Sequence, residues 1–135
     1  MSDGNDQAKR VKVVCVEDDS EMIDLVKLIL ARQGFDVTGA TGGLEGLDAI
    51  VREQPDLVLL DLMMPDVDGW EVYHRMKADE RMRNIPVIVV TAKAQSIDKV
   101  LGLHIAKVDD YITKPFGPRE LLNSVEKVLA MRKKA

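Results

Sequence analysis

The sequence predicts a single α/β domain of the (βα)5 type built on a parallel sheet, and three observations lead there. The chain has 135 residues, about one packed core's worth. Five short runs rich in β-branched residues alternate with segments of helical periodicity, and no repeat or linker interrupts them. Three of the five runs are nearly continuous Val, Ile and Leu, the composition of strands buried on both faces.

The strands are expected at Val11–Val16, Asp36–Ala40, Leu57–Leu60, Val87–Val90 and Asp109–Thr113. Ser20 is placed to N-cap the first helix, which would bury Met22, Val26, Ile29 and Leu30 and end at Gly34. Leu44, Leu47 and Ile50 stripe the second helix. Asp66 and Asp68 form the turn before the third helix, with Gly69 supplying backbone freedom, and that helix runs from about Trp70 to Asp79. The fourth spans roughly Gln95 to Ile105. The fifth opens with Pro118 in its first turn and buries Leu122, Val125 and Leu129. Residues 1–10 read as a disordered polar tail, 11–131 as the domain and 132–135 as a basic end.

Composition narrows the functional classes. A net charge of −4 with a pI near 5.2 argues against direct nucleic-acid binding. The lone Cys15, within an apolar strand, rules out an internal disulfide and reads as an inert core residue. No apolar stretch has the length of a membrane span, and the chain reads as cytoplasmic with no membrane partner. Gly42 and Gly43 do not follow the first strand and form no dinucleotide-binding fingerprint. His74 reads as solvated, and Trp70 as a partly buried aromatic.

In an open α/β sheet, ligands sit beyond the carboxyl ends of the strands. Glu17, Asp18 and Asp19 follow the first run, Asp61 the third, Thr91 the fourth, and Lys114-Pro115 the fifth. Crowded carboxylates repel, and a hard divalent cation neutralises them. Mg²⁺ does so with one or two carboxylates, waters and phosphate oxygens. The lysine and the hydroxyl complement a multi-oxygen anion, so the set suits phosphoryl transfer to a carboxylate. No His or Cys stands at these positions, which weakens hydrolase triads and zinc sites.

The ordered series Glu17-Asp18-Asp19, Leu60-Asp61-Leu62-Met63-Met64-Pro65, Asp68-Gly69, Val90-Thr91-Ala92 and Lys114-Pro115-Phe116 closely resembles response-regulator receiver domains of two-component systems. The resemblance covers about Val11 to Met131. It implies a doubly wound, flavodoxin-like sheet of strand order 2-1-3-4-5 and a Lys114-Pro115 bond that is often cis. It assigns Asp61 as phosphoacceptor. Glu17, Asp18, Asp61 and the backbone carbonyl of Met63 would hold Mg²⁺ (or Mn²⁺), with Asp18 bound directly and Glu17 partly through water. Lys114, the Thr91 hydroxyl and the Ala92 amide would contact the phosphoryl group, and Thr91 and Tyr111 would act as the switch.

The implied donor is a sensor histidine kinase or a histidine phosphotransfer protein. The face of the fourth helix, fifth strand and fifth helix would dock a downstream target, an output domain or, on phosphorylation, a second copy. The chain itself would be a signalling domain rather than an enzyme. Met63 and Lys93, two residues after Asp61 and Thr91, point to slow self-dephosphorylation. The main departure from the family pattern is Gly102 to Asp110, one residue longer than usual and lacking the turn glycine, with His104 within it. Two alternatives fare worse. A phosphatase of the haloacid-dehalogenase type needs an acid where Met63 stands, and a pseudo-receiver would lack one of the site groups.

Overall fold

The computed structural model describes residues 10–92 and 108–134. The expected tail, Lys93, the helix at about Gln95–Ile105 and the stretch Gly102–Lys107 with His104 lie outside the described residues. β1 (Lys12–Val16), β2 (Asp36–Ala40), β3 (Leu57–Asp61), β4 (Val87–Ala92) and β5 (Asp110–Lys114) pair in parallel in the order β2-β1-β3-β4-β5. Helices α1 (Ser20–Ala31), α2 (Gly43–Glu53), α3 (Gly69–Ala78) and a C-terminal helix (Pro118–Lys134) cover the sheet. The doubly wound, flavodoxin-like architecture expected from the sequence is the one observed.

Alternation along each strand divides the core. Val14, Val16, Val58, Leu60, Val87 and Val89 pack toward Ala49 and Ile50 of α2 and Val72, Tyr73 and Met76 of α3. Val13, Cys15, Leu57, Leu59, Ile88 and Ile112 point the other way, toward α1 and Leu121, Val125 and Val128 of the C-terminal helix. Both faces of the three central strands are therefore dry, and each fully buried Val, Leu or Ile contributes about 1.5–3 kcal/mol.

Several helix details differ from the sequence expectations. The N-cap of α1 is Asp19 rather than Ser20; its carboxylate accepts from the Glu21 and Met22 amides at 3.0 and 3.4 Å. The side chain buried in the first turn is then Ile23, with Met22 only half-buried. Gly34 ends the helix as expected. At φ 85° it lets its own amide reach Ala31 O and the Phe35 amide reach Leu30 O. In α2 the buried face is Gly43, Gly46, Ala49 and Ile50, while Leu44 is exposed. Small residues win there because a Cβ on Gly46 would lie 2.7 Å from Val16 Cγ1, so the helix backbone rests directly on β1. The buried stripe of the C-terminal helix is Leu121, Val125 and Val128, with Leu122 and Leu129 partly buried beside it. Gly69 has no positive φ; a Cβ there would lie 2.5 Å from the Asp61 carbonyl oxygen and from Leu62 Cα. Its role is close approach of α3 to β3, not backbone freedom.

Candidate active site

The chemistry-bearing residues are the ends of the strands themselves. Asp61 is the last residue of β3, Thr91 and Ala92 close β4, and Lys114 closes β5. Register sets Asp61 opposite Val90 and Ala92 opposite Lys114, so adjacent strand ends bring these residues to one edge. Glu17 and Asp18 follow β1, and the Glu17 amide donates to Ala40 O at 2.9 Å, extending the sheet by one residue.

Asp61 is 3% exposed. Its Oδ1 accepts from the Met63 amide at 3.2 Å, and its Oδ2 lies 3.7 Å from Lys114 Nζ. Lys114 Nζ is nearer to Glu17 Oε1, at 2.8 Å, and Glu17 Oε2 accepts from the Asp19 amide at 3.1 Å. Carboxylate oxygens of Glu17, Asp18 and Asp61 lie within 4.8 Å of one another, with Asp18 exposed and the other two buried. Burial pushes the Glu17 carboxyl up to about 7; the Lys114 hydrogen bond opposes this only in part, and the negative charge of Asp61 adds to it. Burial also raises Asp61, against the Met63 amide and Lys114. Burial alone would lower Lys114, but Glu17 and Asp61 together hold its ammonium above the usual range. Three carboxylates facing one ammonium carry excess negative charge, and their hard oxygens with one solvent-facing member fit a divalent cation that keeps part of its water shell.

Thr91 is 3% exposed and, among the described residues, its Oγ1 has no hydrogen-bond partner. A buried hydroxyl without a partner costs about 1–3 kcal/mol. Tyr111, on edge strand β5, is half exposed, and the Lys114-Pro115 bond is cis. Asp110 accepts from Ser124 Oγ at 2.6 Å and lies 3.2 Å from Lys127, tying β5 to the C-terminal helix. Cys15 is buried, which pushes its thiol up to about 12, in keeping with an inert core residue. Trp70 is half-buried, edge-on to Tyr73, and His74 is exposed.

Asp66 does more than form the turn expected from the sequence. Its carboxylate accepts from the amides of Gly43 at 3.1 Å and Leu44 at 3.3 Å, at the start of α2. Those bonds hold its carboxyl below the usual range. The available signal was the Gly42-Gly43 pair, a helix start with no capping side chain of its own. A groove of about 800 Å³, lined by Phe35, Pro55, Ile85, Pro86 and Leu129 among others, lies at the opposite edge of the sheet. It holds none of the strand-end groups. Among the described residues no helix is long and apolar enough to cross a membrane.

Comparison with known proteins agrees with this geometry. The chain is 42% identical over 118 residues to the DNA-binding dual master transcriptional regulator RpaA of Synechocystis sp.. That match takes in 87% of this chain and 48% of RpaA, so the chain spans about half the length of that relative. A CheY-like response regulator receiver domain protein from Methanospirillum hungatei JF-1 superposes with a TM-score of 0.85 at 31% identity, over 93% of this chain and 98% of that one. The receiver domain of sensor histidine kinase PA1611 from Pseudomonas aeruginosa PAO1, which has a magnesium ion coordinated in its active-site cleft, superposes with a TM-score of 0.80 at 27% identity, over 90% of this chain and 98% of that one. The family model for the response regulator receiver domain matches residues 13–126. The chain belongs to that family and is the receiver domain of a two-component response regulator.

Proposed function

We propose that this domain accepts a phosphoryl group on Asp61 in a Mg²⁺-dependent reaction and passes the signal on by repacking around Thr91. The observation that carries the reading is the convergence at one sheet edge of the Asp61 carboxylate, the Glu17–Asp18 pair, Lys114 and the unpartnered Thr91 hydroxyl.

An Asp61 oxygen attacks the phosphorus of a phosphohistidine or small acyl phosphate. The P–N or P–O bond to the donor breaks, and its electron pair leaves on the donor nitrogen or oxygen. Asp18, Asp61 and the Met63 carbonyl would hold Mg²⁺, with Glu17 reaching partly through water; when bound, the ion neutralises charge on the phosphoryl oxygens. Lys114 is already within 3.7 Å of Asp61 and supplies a second cation to the same oxygens. Burial of Asp61 keeps competing water away from the acyl phosphate. The Ala92 amide and the Thr91 hydroxyl donate to the remaining oxygens. The movement of Thr91 opens space behind β4 for Tyr111 to turn inward, a population shift between two packings.

The donor is a sensor histidine kinase or histidine phosphotransfer protein. The readout surface is the β5 and C-terminal helix side, which would engage an output domain, a separate target or a second copy.

Intact mass spectrometry after treatment with acetyl phosphate tests the reaction. The expected result is a gain of one phosphoryl group with Mg²⁺, none with a chelator, and none in Asp61→Asn. No gain in the wild type, or a gain that survives Asp61→Asn, would overturn the assignment.

A further inference from the structure

We propose that Asp66 is a positioning residue for the metal site, anchoring the loop between β3 and α3 by capping α2 across space. The inference rests on the Mg²⁺ reading above and assigns a role to a residue outside the ligand set.

The first amides of a helix need acceptors from outside it. In α2 the N-cap is Gly42, which offers no side chain. The Asp66 carboxylate fills that place, spanning the amides of Gly43 and Leu44 with both oxygens. Tight packing of the same joint is a second, independent observation. A Cβ on Gly42 would lie 2.9 Å from Asp66 Oδ2, and one on Gly43 would lie 2.8 Å from Val67 Cβ and 2.9 Å from Val72 Cγ2. The double glycine is thus the sequence's provision for docking this loop onto α2.

Apolar packing also holds the middle of the loop, with Met64 and Val67 partly buried against the core. Met63, Pro65, Asp66 and Asp68 are all exposed. At its ends, the Met63 amide donates to Asp61 Oδ1 and the Gly69 amide donates to Leu62 O at 3.1 Å. Between them, the Asp68 carboxylate caps α3 by accepting from the Trp70 amide at 2.8 Å, and the Asp66 carboxylate is the polar anchor to α2. The helix it grips rests on β1 through Gly46 against Val16, the residue before Glu17. Asp66 therefore connects the loop bearing the Met63 carbonyl to the strand bearing Glu17 and Asp18. Losing it frees one side of the metal site relative to the other. Groups that orient a metal ligand typically carry about 10–100-fold in metal affinity.

The experiment is a MgCl₂ titration followed by ¹⁵N amide shifts, on wild type, Asp66→Ala, Asp66→Asn and Gly42→Ala. Each variant's urea midpoint is measured in chelator. The expected result is an affinity about tenfold weaker in Asp66→Ala. Asp66→Asn, which keeps a carbonyl acceptor, recovers most of the loss. Gly42→Ala weakens binding although the carboxylate remains, because its methyl presses on Asp66, and it carries the test should Asp66→Ala fail to fold. Variants that lose stability but bind Mg²⁺ like the wild type would overturn the positioning role and leave the metal reading intact. A wild type that bound no Mg²⁺ would overturn the metal reading itself, and this inference with it.

Discussion

Lys114 Nζ lies 2.8 Å from Glu17 and 3.7 Å from Asp61, so the lysine's nearer partner is the acidic residue after β1, not the aspartate that ends β3. The proposed phosphoryl transfer to Asp61 would draw the ammonium from one carboxylate toward oxygens on the other. A methionine at 114 keeps the apolar stem and removes the charge. Lys114→Met is expected to slow phosphorylation of Asp61 by acetyl phosphate about 100-fold or more, the scale of losing one preorganised donor to transition-state charge. Time-resolved intact mass measures it, and an unchanged rate would show that Lys114 serves only to hold Glu17.

The same cluster makes metal-free stability fall as pH rises. Folding raises Glu17 from 4.5 to about 7 and raises Asp61, so between those pH values the folded chain holds protons that the unfolded chain has released. Stability is then greatest at the low end of that window and declines toward neutrality. The groups facing Glu17 are Asp61, Asp18, the Asp19 amide and Lys114. Lys114 is raised too, so its contribution fades only in the alkaline range. Asp66 and Asp79 are lowered, and their opposite slopes fall below 3.8. Urea midpoints in chelator should decline from about pH 4.5 to about pH 7, and Glu17→Gln should flatten the decline. Saturating Mg²⁺ should shrink it, because a bound cation favours the ionised carboxylates. A midpoint that rises across this window without metal would contradict the burial argument.

The strands and the strand-end residues were legible because their signals are local: continuous Val, Ile and Leu runs followed at once by polar groups. Asp61, Thr91 and Lys114 were read from that pattern and do meet at one edge. What the pattern hid depends on contacts across the chain. The cap at Asp66 lies 22 and 23 residues from the amides it serves, so no local window could pair them. The buried face of α2 was misread because hydrophobicity favours Leu44, whereas close packing on Val16 favours Gly46. The shift from Ser20 to Asp19 as N-cap is a one-residue matter that only backbone geometry decides.

Gly69 offers a test of how closely α3 is pressed onto β3. An alanine methyl there would meet the Asp61 carbonyl oxygen and Leu62 Cα at 2.5 Å, and both are backbone atoms that cannot swing aside. Gly69→Ala should therefore cost about 1–3 kcal/mol by overpacking, despite alanine's better helix propensity. Because the displaced atoms belong to Asp61 and its neighbour, phosphorylation by acetyl phosphate should slow as well. Urea unfolding and intact mass measure the two effects. A variant as stable and as reactive as the wild type would show that α3 can move away freely.

Thr91 should behave in the opposite sense, with stability and signalling changing in different directions. Its Oγ1 is buried without a partner among the described residues, so the folded protein carries a desolvated hydroxyl that an apolar isostere would remove. Valine keeps the β-branched shape favoured in β4. Thr91→Val is thus expected to leave stability unchanged or raise it by up to about 1–3 kcal/mol, the cost of an unsatisfied buried polar group. Phosphorylation of Asp61 should persist, since Lys114 and the acidic residues remain. The phosphorylation-dependent amide shifts around Tyr111 should shrink, because the hydroxyl that would follow the phosphoryl group has gone. NMR of the phosphorylated variant, alongside urea unfolding, measures both. A loss of stability on this substitution would mean that the hydroxyl already has a partner in solution, and Tyr111 shifts of wild-type size would place the switch elsewhere.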